Sequence, residues 1–174
     1  MDGPATQARI NNLVAIAVGA DGSVYIVDKN VVRRVDPSGV INTVAGNGTQ
    51  GFPSMAIGDG GPATQASMGP RDVAVAADGS LYIADSANSR VRKVSPSGII
   101  TTVAGNGRQG IDGDGGPAVA ASLITPDAVT LGQDGSIYIR DYTRVRRVDP
   151  TGTITTVAGN GGFLFNGDGL PAVQ

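Results

Sequence analysis

The sequence contains no cysteine, no histidine and no tryptophan. Without cysteine there is no disulfide, no thiolate nucleophile and no thiolate metal site. Without histidine the common zinc ligand sets and every imidazole base are excluded as well. Aromatic residues are four Tyr and three Phe, too few for a surface that stacks successive bases. Neither sign of charge dominates: 13 basic against 15 acidic residues leave a net charge of -2, and no global field draws in nucleic acid or an anionic membrane. No apolar run approaches the roughly 20 residues of a membrane-spanning helix, and Met1-Asp2-Gly3-Pro4 opens no basic-then-apolar leader. The expectation is a soluble chain with no catalytic residue, bound metal, cofactor, nucleic-acid partner or membrane partner. What is abundant is Gly, at 27 residues, with 10 Pro beside it. That much of both, without a collagen period, means many tight turns.

Those turns recur. Asp21-Gly22-Ser23-Val24-Tyr25-Ile26 returns as Asp78 to Ile83 and again as Asp134 to Ile139. Asp36-Pro37-Ser38-Gly39 matches Ser95 to Gly98 and Asp149 to Gly152, and Thr43 to Gly48 matches Thr102 to Gly107 and Thr156 to Gly161. A Gly-Asp-Gly-x-Pro-Ala landmark begins at Gly58, Gly113 and Gly167, with Asp2-Gly3-Pro4-Ala5 a shortened copy. Several blocks in fixed order make three units of about fifty-five residues, near 2–57, 58–112 and 113–166, with 167–174 opening a further one. The chain therefore reads as one domain, 1–174.

Each unit predicts four short strands, A to D, rich in β-branched residues and bounded by Gly or Pro. Strand A is expected at Val14–Val18, Asp72–Ala76 and Ala128–Leu131, and B ends at Asp28, Asp85 and Asp141. In the C–D turn Pro presets φ and the closing Gly accepts a left-handed conformation. The Pro-Ala-rich stretches starting at Pro4, Pro62 and Pro117 predict a helical turn with Pro as its first residue. One four-stranded meander cannot bury both faces, so successive meanders must stack radially as blades. The fold expected is all-β: three four-stranded antiparallel blades forming half of a six-bladed β-propeller. Three blades leave an apolar face open at each end. Two copies about a two-fold axis would close the ring, which makes a homodimer the expected assembly. The two terminal landmark segments would then compete for one position at each seam.

The run from Gly79 to Val94 resembles the NHL repeat, and Ile100 to Gly107 with Gly113 to Ala118 is similar to its long-spacer version, found in bacterial cell-surface proteins and teneurin-like chains. The resemblance spans nearly the whole chain and implies a six-bladed ring and an extracellular or cell-surface parent. Units one and three depart from it by lacking two residues between strands B and C.

The candidates for chemistry divide into repeated and unrepeated residues. Asp28, Asp85 and Asp141 recur in every unit, so a structural role is expected, with each carboxylate accepting N–H groups of its own B–C loop and pairing with a nearby Arg. Arg33-Arg34, Arg92-Lys93 and Arg146-Arg147 lie on strand C; neighbours on a strand point to opposite faces, so they form no single stripe. Their stems are expected between blades with the charged heads in water. Asp112-Gly113-Asp114 has too few ligands for a calcium loop and reads as a turn. The channel mouth would be lined by Val14-Ala15, Arg71-Asp72 and Asp127-Ala128, which leaves few acids for a metal site.

Topology places the A–B and C–D turns on one rim and the B–C and D–A loops on the other, where all the length variation lies. There Phe52, Met55, Tyr142, Phe163 and Phe165 join Arg71, Asp72 and Asp127 as binding candidates. The alternative reading of Phe52, Phe163 and Phe165, as caps on the outer blade edges, is the preferred one. The function expected is a non-enzymatic scaffold or interaction module, with a protein or peptide ligand on that rim. The alternatives are a channel-centred metal-dependent hydrolase, as in lactonase-like relatives of such propellers, and thirdly RNA binding.

Overall fold

A computed structural model describes residues 3–51, 57–162 and 172. After a two-residue strand, β1 (Gly3–Pro4), the chain forms three antiparallel meanders. Blade one is β2 (Leu13–Val18), β3 (Val24–Asp28), β4 (Val31–Val35) and β5 (Val40–Ala45); β1 pairs with β5 as a fifth strand. Blade two is β6 (Pro70–Val75), β7 (Leu81–Asp85), β8 (Arg90–Val94) and β9 (Ile100–Ala104). Blade three is β10 (Pro126–Leu131), β11 (Ile137–Asp141), β12 (Arg144–Val148) and β13 (Ile154–Ala158). The first strands of successive blades lie side by side, which is radial stacking.

The turns follow from their residues. Asp21, Asp78 and Asp134 each accept the N–H of the Ser two residues on through one oxygen and its hydroxyl through the other, at 2.8–3.0 Å. The intervening Gly22, Gly79 and Gly135 take φ near +82°, where a Cβ would be strained. Each innermost strand starts one or two residues earlier than its apolar run suggests, because a β-bulge interrupts its pairing with the second strand. Register jumps from Leu13 to Ala15, Pro70 to Asp72 and Pro126 to Ala128, leaving Val14, Arg71 and Asp127 as the extra residues. A bulge re-aims the side chain it carries.

The Pro-Ala stretches do form single turns, of 3-10 type, at Ala5–Gln7, Ala63–Gln65 and Ala118–Ala120. Pro4, Pro62 and Pro117 precede them as caps with ψ near 127° rather than opening the turn. The second and third of these turns each tie two blades. Ala63 donates its N–H to Gly98 on the outer edge of blade two, and its carbonyl accepts from Gly46 of blade one; Ala118 does the same with Gly152 and Gly105. Gly159 of blade three likewise donates to Ala172, at 2.7 Å. The remainder of the segment from Gly167 lies outside the described residues.

Two apolar clusters hold the stack together, one in each blade interface. Between blades one and two, Tyr25, Val27 and Val32 meet Val73, Leu81, Ile83 and Ile100, with Met68 of the linker among them. Between blades two and three, Ala84 and Val91 meet Val129, Ile137, Ile139 and Ile154, with Leu123 in the linker position.

Candidate binding rim

Asp28, Asp85 and Asp141 are buried at the ends of β3, β7 and β11. Their backbone donors are not those of the B–C loop, as expected from the sequence, but N–H groups of the chain entering the innermost strand. Asn11 and Asn12 donate to Asp28, Gly69 to Asp85 and Thr125 to Asp141, at 2.8–2.9 Å. The chain must turn in there from the linker, and a carboxylate is the nearest acceptor for its free N–H groups. The Arg pairing expected is present, with Arg33, Arg92 and Arg146 at 3.8, 3.2 and 3.9 Å.

The charged heads of Arg92 and Arg146 are buried, not solvated. Each reaches an acid of the preceding Gly-Asp-Gly landmark at 2.6 Å, Asp59 for Arg92 and Asp114 for Arg146. Asp59 also accepts from the Thr102 hydroxyl and Asp114 from the Thr156 N–H. The landmark Asp is therefore the counter-charge that lets a guanidinium lie between blades, which also assigns Asp114 of the calcium-like loop to an ion pair. The reading that put these heads in water considered the strand alone. The recurrence of one landmark Asp with one strand-C Arg was the available signal. The alternate cations point the other way: Arg34 and Arg147 pair with turn acids Asp21 and Asp134 at 2.9 Å, and Lys93 lies 5.4 Å from the Tyr82 ring centre.

The unrepeated candidates meet different fates. Asp72 accepts the Val73 N–H and, across the interface, the Val129 N–H at 2.8 Å, so it clasps blade three to blade two. Asp127 is held in a two-pronged ion pair by Arg140 at 2.5 and 2.6 Å. Both acids of the channel mouth are thus engaged with the protein. Tyr142 sits on the B–C turn of blade three, 49% exposed. Phe52, Met55, Phe163 and Phe165 lie outside the described residues.

Arg71 is treated differently. It lines a cleft of about 270 Å³ between blades one and two, on the B–C/D–A rim, with Lys29, Asn30, Asn12 and Gln50. Arg71 and Lys29 are both exposed. Lys29 is held at φ +57°, a left-handed conformation that costs a non-glycine residue about 1–3 kcal/mol. The N–H of Lys29 donates to the Asn12 carbonyl, and the Asn30 side-chain amide donates to Gly48. Ser89 and Tyr142 share this left-handed geometry, one residue per B–C connection. Gly69, Pro70, Ser86 and Ala87 also line the cleft.

Four-stranded meanders stacked through their innermost strands define a β-propeller. The family model of the Teneurin NHL domain matches residues 1–50, 41–112 and 108–167. The chain belongs to the teneurin NHL domain family. It is 34% identical to mouse Teneurin-3 over 160 residues, 84% of this chain and 6% of that protein. It is 34% identical to human Teneurin-1 over 175 residues, 93% of this chain and again 6% of that protein. The chain thus spans about 6% of the length of these relatives. Among solved structures, a structural-genomics protein of unknown function from Bacteroides thetaiotaomicron superposes with TM-score 0.64 at 23% identity, over 86% of this chain and 36% of that one. A gluconolactonase from Xanthomonas campestris gives 0.62 at 14% identity, over 87% and 48%. At these identities the likeness concerns the fold.

Proposed function

We propose that the chain is a non-enzymatic interaction module, half of a six-bladed ring closed by a second copy, which presents its B–C/D–A rim to a protein or peptide. The observation that carries this is a single position read three times. Ile16, Val73 and Val129 share one register in the innermost strands. Val73 and Val129 are 3% and 6% exposed against the preceding blade, whereas Ile16 is 61% exposed. Leu13 and Val18 lie exposed beside it. A preceding blade is what this face fits, and the trailing face of blade three offers one, with Tyr138, Val145, Val157 and Ala158 where blade two presents Tyr82, Val91, Val103 and Ala104. That the chain spans 36% and 48% of the two solved propellers supports a half-ring.

The competing readings have less to stand on. A metal-dependent hydrolase would need Asp72 and Asp127, whose oxygens are engaged with backbone N–H groups and Arg140. An RNA-binding face would need strand-C cations, of which Arg92 and Arg146 are buried.

Sedimentation equilibrium tests the closure. The expected mass is twice the chain's 17.4 kDa at micromolar concentration, and Ile16→Asp should return it to 17.4 kDa with the β-sheet circular dichroism retained. A wild-type mass of 17.4 kDa would overturn the second copy as the closing partner.

A further inference from the structure

We infer that the cleft between blades one and two is a carboxylate-binding site, made for an acidic segment of a partner protein. The inference rests on the interaction-module reading and names the chemistry of its ligand. Three observations carry it.

The first is uncompensated charge. Arg71 and Lys29 converge on one cleft, and among the described residues neither has an ion-pair or side-chain hydrogen-bond partner. The acids close by are committed elsewhere: Asp28 to Asn11, Asn12 and Arg33, Asp85 to Gly69, Asn88 and Arg92, Asp72 to Val73 and Val129. A free guanidinium beside a free ammonium suits a carboxylate, which accepts from both at once.

The second is broken repetition. The bulge residue of the innermost strand is Val14 in blade one, Arg71 in blade two and Asp127 in blade three. In the equivalent place between blades two and three stands Asp127, with Arg140 as its own counter-charge. Lys29 opens the two-residue B–C turn of blade one, where blade three has Tyr142. What each blade needs in order to fold is present in all three. These two cations are not, so the stack does not account for them.

The third is preorganisation. Arg71 stands on a bulge and Lys29 on a backbone residue fixed left-handed, its N–H bonded to the Asn12 carbonyl. At about 270 Å³ the cleft falls just short of the roughly 300–1,000 Å³ that hold a drug-sized ligand. It has room for one or two acidic side chains, with Asn12, Asn30 and Gln50 able to hydrogen-bond the peptide backbone. A nucleic-acid strand fits less well, because among the described residues the cleft has no aromatic ring on which a base could stack.

The test is fluorescence-anisotropy titration with a labelled, N-acetylated hexaglutamate peptide, at two salt concentrations. Wild type is expected to bind more weakly as salt rises. Arg71→Ala and Lys29→Ala should each lose about tenfold or more, the loss of one charge-assisted hydrogen bond. Arg108→Ala, an exposed cation on the next spacer, should change nothing. Equal loss in Arg108→Ala, or no loss in Arg71→Ala, would overturn the site. Tighter binding of a labelled oligouridylate than of the peptide would overturn the ligand class. The same variants are weighed by sedimentation: unchanged mass with lost peptide binding isolates the cleft from the seam, so failure of one is not failure of the other.

Discussion

The middle blade and the two outer blades carry the same pattern in different surroundings. In blade two, Asp85 receives the Gly69 N–H at 2.8 Å, the Asn88 amide at 2.7 Å and Arg92 at 3.2 Å, and Arg92 is buried. In blade three, Asp141 has the Thr125 N–H, Arg146 stands off at 3.9 Å, and one carboxylate oxygen is buried without a partner. In blade one, Arg33 is 17% exposed and 3.8 Å from Asp28. Two causes produce the difference. Blade two has a neighbour on each face, and its B–C connection is two residues longer, which gives the short 3-10 turn Ser86–Asn88 and so supplies Asn88. A repeat does not carry its own interior; neighbours and small insertions complete it.

Substitutions can break this comparison. Removing the guanidinium of the middle blade has the largest expected effect. Arg92→Ala leaves Asp85 and Asp59 without their cation and should cost about 3–5 kcal/mol, as for other broken buried pairs. Arg33→Ala should cost about 1 kcal/mol, because Asp28 keeps the Asn11 and Asn12 N–H groups. Urea unfolding midpoints at equal m-values measure both, and equal losses would contradict the asymmetry. Next, Asn88→Ala brings Asp85 nearer to the surroundings of Asp141, leaving Arg92 as the one donor to that oxygen. A loss of about 1.5–3 kcal/mol is expected from the missing hydrogen bond to a charged group, read in the same urea series. The smallest effect is one of slope. Burial pushes the Asp141 carboxyl up, against the Thr125 N–H and Arg146. Its contribution is most favourable below the unfolded value of 3.8 and is lost as pH rises through the raised folded value. Asp134 on the exposed turn runs the other way. Hydrogen bonds from Ser136 and Arg147 lower it to about 2, so its contribution is full above 3.8 and disappears as pH falls through about 2. Thermal melts across acid to neutral pH should therefore flatten on the acid side in Asp134→Asn and on the rising side in Asp141→Asn.

The local devices were legible in the sequence. Asp-Gly-Ser turns, short β-branched strands and the left-handed Gly of each C–D turn are set by near neighbours in the chain, and they appear close to where read. Asp28, Asp85 and Asp141 were legible as structural acids paired with Arg, but their donors sit 16 or 17 residues earlier, at the mouth of the innermost strand. The buried guanidinium heads were missed because their counter-charges, Asp59 and Asp114, come from a linker 33 and 32 residues away. The channel-mouth residues were legible as a group, yet not their fates. Whether Arg71 stays free, Asp72 clasps a neighbouring blade or Asp127 takes Arg140 depends on a bulge and on the next blade, neither of which a run of letters displays.

The linker turns bear on how such a chain can be recombined. Ala63 and Ala118 each belong to two blades at once, through an N–H to one and a carbonyl to the other, so a junction made in the landmark joins halves of two bonding systems. The Asp-Gly-Ser turns bond only within their own blade, to themselves, their hairpin and the strand-C cations Arg34 and Arg147, and their sequence is the same in all three units. A segment exchanged from one such turn to the next would carry each linker with its bond to the blade before it, Ala63 with Gly46 and Ala118 with Gly105, and would re-form the other bond with the C–D turn Gly that every unit supplies. Crossovers there would insert, delete or shuffle whole blades without leaving a mismatched joint.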